Sequence, residues 1–278
     1  MNERLATNYD RLTGRVAWIS GSTSGIGEAT ARLFAAEGAC VAVVGRRERL
    51  CQAIAGQLEA AGGQAIAIGC DVADGQQVRG AIEQTVEAFG WLDIVINNAG
   101  MVDVRRLHEY DDAQFDRVMA VNVKSMFYTF KHAYAHLRKQ PCSYVVNVGS
   151  ISSFVGQEAT PVYTTTKHAV LGLSRSIALD YAEDGVRCNC VCPGITDTPM
   201  LREHLGNSPG TEDALRQRLR RVPLNCALQP EEIARTILYL SCEDSAGVTG
   251  TSVVVDGGYL AAAEWDAADD SVAAGDGT

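Results

Sequence analysis

Short apolar runs alternate with longer amphipathic stretches from residue 15 to about residue 256. "RVAWISG" (15–21), "CVAVVG" (40–45), "QAIAIGCDV" (64–72) and "LDIVINNAG" (92–100) read as strands, as do "SYVVNVGS" (143–150), "VRCNCVC" (186–192) and "GTSVVVDGG" (250–258). Between them, "GEATARLFAAEG", "RERLCQAIAGQLEAAGG", "GQQVRGAIEQTVEAFG" and "PEEIARTILYLSCE" carry apolar residues at helical spacing. So do "DAQFDRVMAVNVKSMFYTFKHAYAHLRK" and the segment starting at Pro161. Strands that are apolar almost throughout are buried on both faces, which predicts a parallel seven-stranded sheet covered by helices on either side. The fold class is therefore α/β, doubly wound. No repeat or linker interrupts the alternation, so residues 14–260 read as one domain. An extension (1–13) precedes it and an acidic, Ala-rich tail (261–278) follows, whose Trp265 could dock on a neighbouring subunit. The polar stretch 195–225 reads as a lid over a substrate.

Composition narrows the class. The chain has 278 residues, 46% of them hydrophobic, enough to bury a large core. With 24 basic and 34 acidic residues its net charge is −10, which repels nucleic-acid backbones and anionic membranes. No run approaches the roughly 20 apolar residues of a membrane span. The beginning of the chain lacks an apolar leader, and the nine cysteines form no disulfide-like framework; both point to a reducing cytoplasm. Cys188, Cys190 and Cys192 alternate along one strand, which suits small core side chains better than zinc knuckles. His132 and His136 lack the neighbouring Glu and third ligand of a zinc helix, so no metal is expected.

The first strand-to-helix junction, "SGSTSGIG", carries Gly21, Gly25 and Gly27. Such glycines allow a tight turn, close backbone approach to a pyrophosphate, and packing of the helix on the sheet, with the helix N-terminus facing the ligand. Ser22, Ser24 and Ile26 belong to the same turn. The pattern is Rossmann-like. Gly45 occupies the position at the end of the second strand where an acid would hold the ribose hydroxyls of NAD, and Arg46 and Arg47 follow. Guanidinium groups suit a 2′-phosphate, which favours NADP(H) over NAD(H). Asp71 and Val72, ending the third strand, are candidates to hold the adenine.

Six motifs then follow in order: "SGSTSGIG", "NNAG", Asn122 in "VNVKS", Ser150 in "NVGS", "YTTTK" and "PGITDTP". Together they resemble the short-chain dehydrogenase/reductase family in its compact single-domain subtype. Ser20 stands where that family usually has threonine, and it keeps the hydroxyl. The resemblance implies a catalytic set of Ser150, Tyr163 and Lys167, with Asn122 holding a water in a proton relay. Tyr163 lies 13 residues beyond Ser150, the family's usual interval. The resemblance also implies that Asn98, Ala99 and Gly100 line the cofactor cleft, with Tyr163 and Lys167 reaching the nicotinamide half. Pro193, Gly194, Ile195 and Thr198 would also contact the cofactor, Ile195 and Thr198 holding the nicotinamide carboxamide. Ser150, Ser152, Gln157, Tyr163 and Met200 are the expected substrate contacts. A homotetramer is the family's usual assembly.

Tyr163 and Lys167, four apart at the head of a helix, share one face. A free phenol has a pKa near ~10, too high for a base at neutrality. A neighbouring ammonium and an oxidised nicotinamide both favour the phenolate, and a shift of ~3 units needs ~4 kcal/mol. The expected reaction is interconversion of a secondary alcohol (sugar, polyol or small cyclic alcohol) and its ketone or lactone, with Tyr163 as general acid/base. A reductase of a hydrophobic ketone or 3-ketoacyl substrate is the alternative. Asp180, Glu183 and Asp184 argue against docking of an acidic carrier protein. An enoyl reductase of the same family spaces its tyrosine and lysine more widely. A non-catalytic nucleotide sensor, the reading from another class, has no need of all four catalytic positions.

Overall fold

The computed structural model describes residues 10–205 and 211–262; the side chains of His204, Thr211 and Glu212 also fall outside the description. Most of the N-terminal extension, the tail with Trp265, and the middle of the expected lid thus lie beyond the described residues. All seven expected strands are present: β1 (Val16–Ser20), β2 (Cys40–Gly45), β3 (Gln64–Gly69), β4 (Ile94–Asn97), β5 (Ser143–Val148), β6 (Val186–Pro193) and β7 (Ser252–Val255). They form one sheet in the order β3-β2-β1-β4-β5-β6-β7, and every pairing is parallel. The helices are α1 (Gly25–Ala36), α2 (Glu48–Ala60), α3 (Gly75–Phe89), α4 (Asp112–Met119), α5 (Ser125–Leu137), α6 (Pro161–Asp180), α7 (Pro199–Leu205), α8 (Thr211–Leu219) and α9 (Pro230–Tyr239).

The period of two along each strand sorts the core into two layers. Ala17 and Ile19 of β1, Val41 and Val43 of β2, and Ile94 and Ile96 of β4 face α1, α2 and α9. Val16 and Trp18, Ala42 and Val44, and Val95 face α3, α5 and α6. Because both faces are covered, neither has a polar set, which is why the strands read as unbroken apolar runs. Inside the sheet, Asn97 Nδ2 donates to Asn147 Oδ1 at 2.8 Å, and Asn147 Nδ2 donates to Ser174 Oγ at 2.9 Å. The order reverses between β1 and β4, which opens a crevice at their C-terminal ends.

The long helical stretch from residue 112 differs from a plain helix. Between α4 and α5 it widens into a π-turn over residues 120–124. Asn122 sits in that turn, fully buried, with Oδ1 accepting from Met101 N (2.8 Å) and Nδ2 donating to Met101 O (2.9 Å) and Thr166 Oγ1 (3.1 Å). The extra residue per turn gives this amide room to clamp the loop after β4 onto α6, the kind of place where π-turns recur. Among the described residues no helix is long and apolar enough to cross a membrane.

Candidate active site

The crevice holds a cavity of about 430 Å³ at the C-terminal edge of the sheet, running from the end of β2 to the base of α7. Gly21 and Gly25, with φ of +64° and +54°, turn the chain from β1 into α1, a backbone that only glycine adopts without strain. A Cβ on Gly21 would lie 2.9 Å from Ala99 Cα, and one on Gly25 would lie 3.1 Å from Thr198 Cγ2. The turn is thus pressed between the loop after β4 and Thr198, just before α7. Ser20 Oγ fastens it, accepting from Asn98 N and Ala99 N (both 3.0 Å) and donating to Ile96 O (3.2 Å). The hydroxyl that serine shares with threonine is therefore in use.

Two residues of this turn do not line the cavity. Ser22 does not face the cavity: its buried hydroxyl donates to Ile19 O (2.9 Å) and accepts from Val44 N (2.8 Å), tying β1 to β2. Gly27 does not line the cavity either; a Cβ there would meet Gly21 O at 2.3 Å and Asn98 Nδ2 at 2.4 Å. Its role is to let α1 seat against the turn. Ser24, Gly25 and Ile26 do line the cavity, and Ser24, the residue before α1, makes no capping bond with its side chain.

Arg46 and Arg47 lie exposed at the rim beyond Gly45, and Asp71 and Val72 line the opposite wall. Asp71 is already engaged: Arg117 Nη2 of α4 reaches its Oδ2 at 3.0 Å. Partial burial opposes ionisation of Asp71. The Ala73 N–H and Arg117 outweigh it, with Arg46 adding its charge, and hold the carboxyl below the usual range. Arg117 was not foreseen, because no local motif announces a partner so distant along the chain.

At the other end, β5 and α6 bring the expected catalytic groups together. Ser150, Tyr163 and Lys167 all line the cavity. Ser150 follows β5 at the head of a short 3-10 turn, where its Oγ accepts from Ser152 N at 3.1 Å. Pro161 opens α6 and sets Tyr163 in its first turn, half-buried. Lys167, one turn later and 4% exposed, donates from Nζ to Val148 O at 2.8 Å and lies 5.4 Å from the centre of the Tyr163 ring. That single hydrogen bond fixes the ammonium beside the phenol and leaves it two donors. Asn122 is adjacent, not lining: a Cβ on Gly100 would stand 3.6 Å from its Oδ1 and 3.9 Å from Lys167 Nζ. Both amide hydrogens of Asn122 are committed, leaving one lone pair of Oδ1 for a water.

Gln157, Ser152 and Met200 enclose the space around Tyr163 and Ser150, with Met101, Val102 and Leu201. Ser152 Oγ donates to Gln157 Oε1 at 2.9 Å, so these two polar groups partly satisfy each other. Asn98, Ala99, Gly100, Pro193, Gly194, Ile195 and Thr198 complete the lining. Arg218 of α8 also lines it. Among the described residues, no cluster of three or more His, Cys, Asp or Glu side chains could hold a metal ion. The donor set fits a pyridine dinucleotide: a glycine turn and helix N-terminus for phosphates, arginines at one end, and a tyrosine–lysine pair at the other.

The family described as Enoyl-(Acyl carrier protein) reductase matches residues 21–260. The chain is 37% identical to 2-(R)-hydroxypropyl-CoM dehydrogenase of Xanthobacter autotrophicus, over 89% of this chain and 99% of that one. It is 36% identical to cis-4-hydroxycyclohexanecarboxylate dehydrogenase of Sinomonas cyclohexanicum, over 89% and 97%. The crystal structure of levodione reductase superposes with a TM-score of 0.87 at 31% identity, covering 91% of this chain and all of that one. Motifs, sheet order and relatives agree that the chain belongs to the short-chain dehydrogenase/reductase family of NAD(P)-dependent oxidoreductases.

Proposed function

We propose that the protein interconverts a small cyclic secondary alcohol and its ketone, with NADP(H) as the preferred cofactor. The observation that carries this reading is the meeting of Ser150, Tyr163 and Lys167 in one cavity with the glycine turn of α1. The cofactor, when bound, supplies the exchange of hydride. The remaining work falls to side chains of this chain. Tyr163 takes the proton from the alcohol during oxidation and returns it to the carbonyl oxygen during reduction. Ser150 Oγ hydrogen-bonds the same oxygen and holds the reacting carbon in place. Lys167, fixed at Val148 O, sets a positive charge beside the phenol. Asn122 holds the Met101 main chain and, through Thr166, the turn of α6 that carries Lys167.

The substrate class rests on the walls. Met101, Val102, Met200 and Leu201 are apolar, and Ser152 gives its hydroxyl hydrogen to Gln157 Oε1, which leaves few polar groups on these walls for the many hydroxyls of a sugar or polyol. Hydroxyl groups buried without partners would cost about 1–3 kcal/mol each. Similarity to cis-4-hydroxycyclohexanecarboxylate dehydrogenase supports a cyclic alcohol, and similarity to 2-(R)-hydroxypropyl-CoM dehydrogenase, whose named compound is open-chain, supports a secondary alcohol in general. For the cofactor, Arg46 and Arg47 stand at the rim beyond Gly45, while Asp71 is neutralised by Arg117.

One screen tests both parts. Cyclohexanol-type alcohols and sugar alcohols are offered with each cofactor, and reduced nicotinamide is followed by its absorbance. The expected kcat/KM is at least tenfold higher for the cyclic alcohols, and higher with NADP than with NAD. In Arg46→Glu the NADP preference is expected to fall by about 30-fold, the loss of a charge-assisted hydrogen bond of about 2 kcal/mol. Turnover confined to polyols would reject the substrate class, and a preference for NAD would show that Arg46 binds no phosphate.

A further inference from the structure

Directly behind the main chain that joins Lys167's acceptor to Ser150 lie two sulfur atoms. Cys190 Sγ and Cys192 Sγ, on one face of β6, are 3.6 Å apart and wholly buried. They approach so closely because Gly149 has no side chain: a Cβ there would lie 2.9 Å from Cys190 Sγ, 3.0 Å from Cys192 Sγ and 3.0 Å from Ser153 Oγ. Val148, Gly149 and Ser150 themselves line the cavity, so one glycine separates the thiols from the site. The third cysteine of the strand, Cys188, instead faces Asn147, whose Nδ2 lies 3.7 Å from its sulfur.

We propose that Cys190 and Cys192 form an oxidisable dithiol that a peroxide links reversibly, slowing catalysis at the adjoining Ser150. The hydrogen bond from the Cys190 thiol favours the thiolate of Cys192. Burial opposes it, and Ser150, Ser153 and the charge of Lys167 reinforce it, so that Cys192 stays below the usual thiol range. Cys192 sulfur attacks one peroxide oxygen. The O–O bond breaks, giving a sulfenic acid and hydroxide, and hydroxide leaves as water with the Cys190 proton. Cys190 sulfur then attacks the Cys192 sulfur, the S–O bond breaks, and the departing hydroxide leaves as a second water with the proton that Cys192 gave up on ionising. Two thiols lose two electrons and two protons, and the peroxide becomes two waters.

Two residues along a strand place their Cα atoms about 6.6 Å apart, near the long end of what a disulfide spans. Such a link is strained and easily reduced, as a reversible one must be. Closing the sulfurs from 3.6 Å to about 2.05 Å draws Cys192 away from its contacts at Ser150 and Ser153. The Ser150–Ser153 turn, held by Ser150 N donating to Ser153 Oγ at 3.2 Å, then loses a support. The effect on turnover rests on the catalytic assignment of Ser150 above; the link itself does not.

The test uses the full chain carrying Cys226→Ser, which removes an exposed thiol. After hydrogen peroxide, the expected result is a loss of two hydrogens in the peptide containing Cys190 and Cys192, with fragmentation placing the link between them. Turnover is expected to fall at least fivefold and to return on adding a thiol reductant. Cys190→Ala should show neither change, and Cys188→Ala should show both. Absence of the link, a link from Cys188, or full turnover in the linked protein would each overturn the proposal. The mass measurement reads the link without turnover, so its failure is distinguishable from a failure of the catalytic reading.

Discussion

Tyr163→Phe is expected to lower turnover by about 10³-fold while the dissociation constant of the cofactor stays within about threefold of the parent's. General acid/base groups contribute roughly 10²–10⁴-fold, and this substitution removes one oxygen and nothing else. Tyr163 sits half-buried in the first turn of α6, so the ring that remains still fills its place. Lys167 keeps its hydrogen bond to Val148 O, because that bond does not involve the phenol. Stopped-flow turnover and fluorescence titration with reduced cofactor separate the two quantities. A parallel loss of cofactor affinity would show that the tyrosine holds the ligand and does not move the proton. Turnover within tenfold of the parent would remove Tyr163 from the chemistry.

Gly27→Ala is expected to damage folding and cofactor binding together. Its Cβ would lie 2.3 Å from Gly21 O and 2.4 Å from Asn98 Nδ2, distances that no rotamer can relieve because one neighbour is main chain. Asn98 Nδ2 donates to Ser20 O and Gly21 O, so moving it aside also breaks the clasp between the loop after β4 and the glycine turn. Overpacking of this kind costs about 3 kcal/mol, which lowers Tm by roughly 6–10 °C in a chain of this size. Cofactor affinity should fall at least tenfold, because Gly25 and Ser24, which line the cavity, are displaced with the turn. Thermal unfolding with and without cofactor checks both effects. An unchanged Tm would show that α1 can shift without cost.

The sheet was legible because its strands are buried on two faces and contain no polar set to confuse the period. The meeting of Ser150, Tyr163 and Lys167 in one cavity was legible because each lies in a motif with its own spacing. The role of Ser22 was not. In a tight turn, consecutive residues point to opposite sides, and which side meets a ligand depends on backbone angles that residue type does not reveal. Ser22 binds β2 for this reason, while Ser24 lines the cavity. The Asp71–Arg117 pair and the approach of Cys190 and Cys192 beneath Gly149 were hidden differently. Both depend on how separate elements pack, and no local pattern encodes that distance. The π-turn at Asn122 is a third case: a helical period runs on through "RVMAVNVKSMF" whether or not one residue is accommodated.

The central claim is that Tyr163 handles the proton while the carbinol hydrogen goes directly to the cofactor. The most direct measurement supplies a cyclic secondary alcohol with deuterium on its carbinol carbon and weighs the reduced cofactor formed in a single turnover. The expected result is one deuterium in the reduced cofactor, with a slower rate than for the unlabelled alcohol, and no such product from Tyr163→Phe in the same time. Deuterium recovered in water, with none in the cofactor, would contradict it.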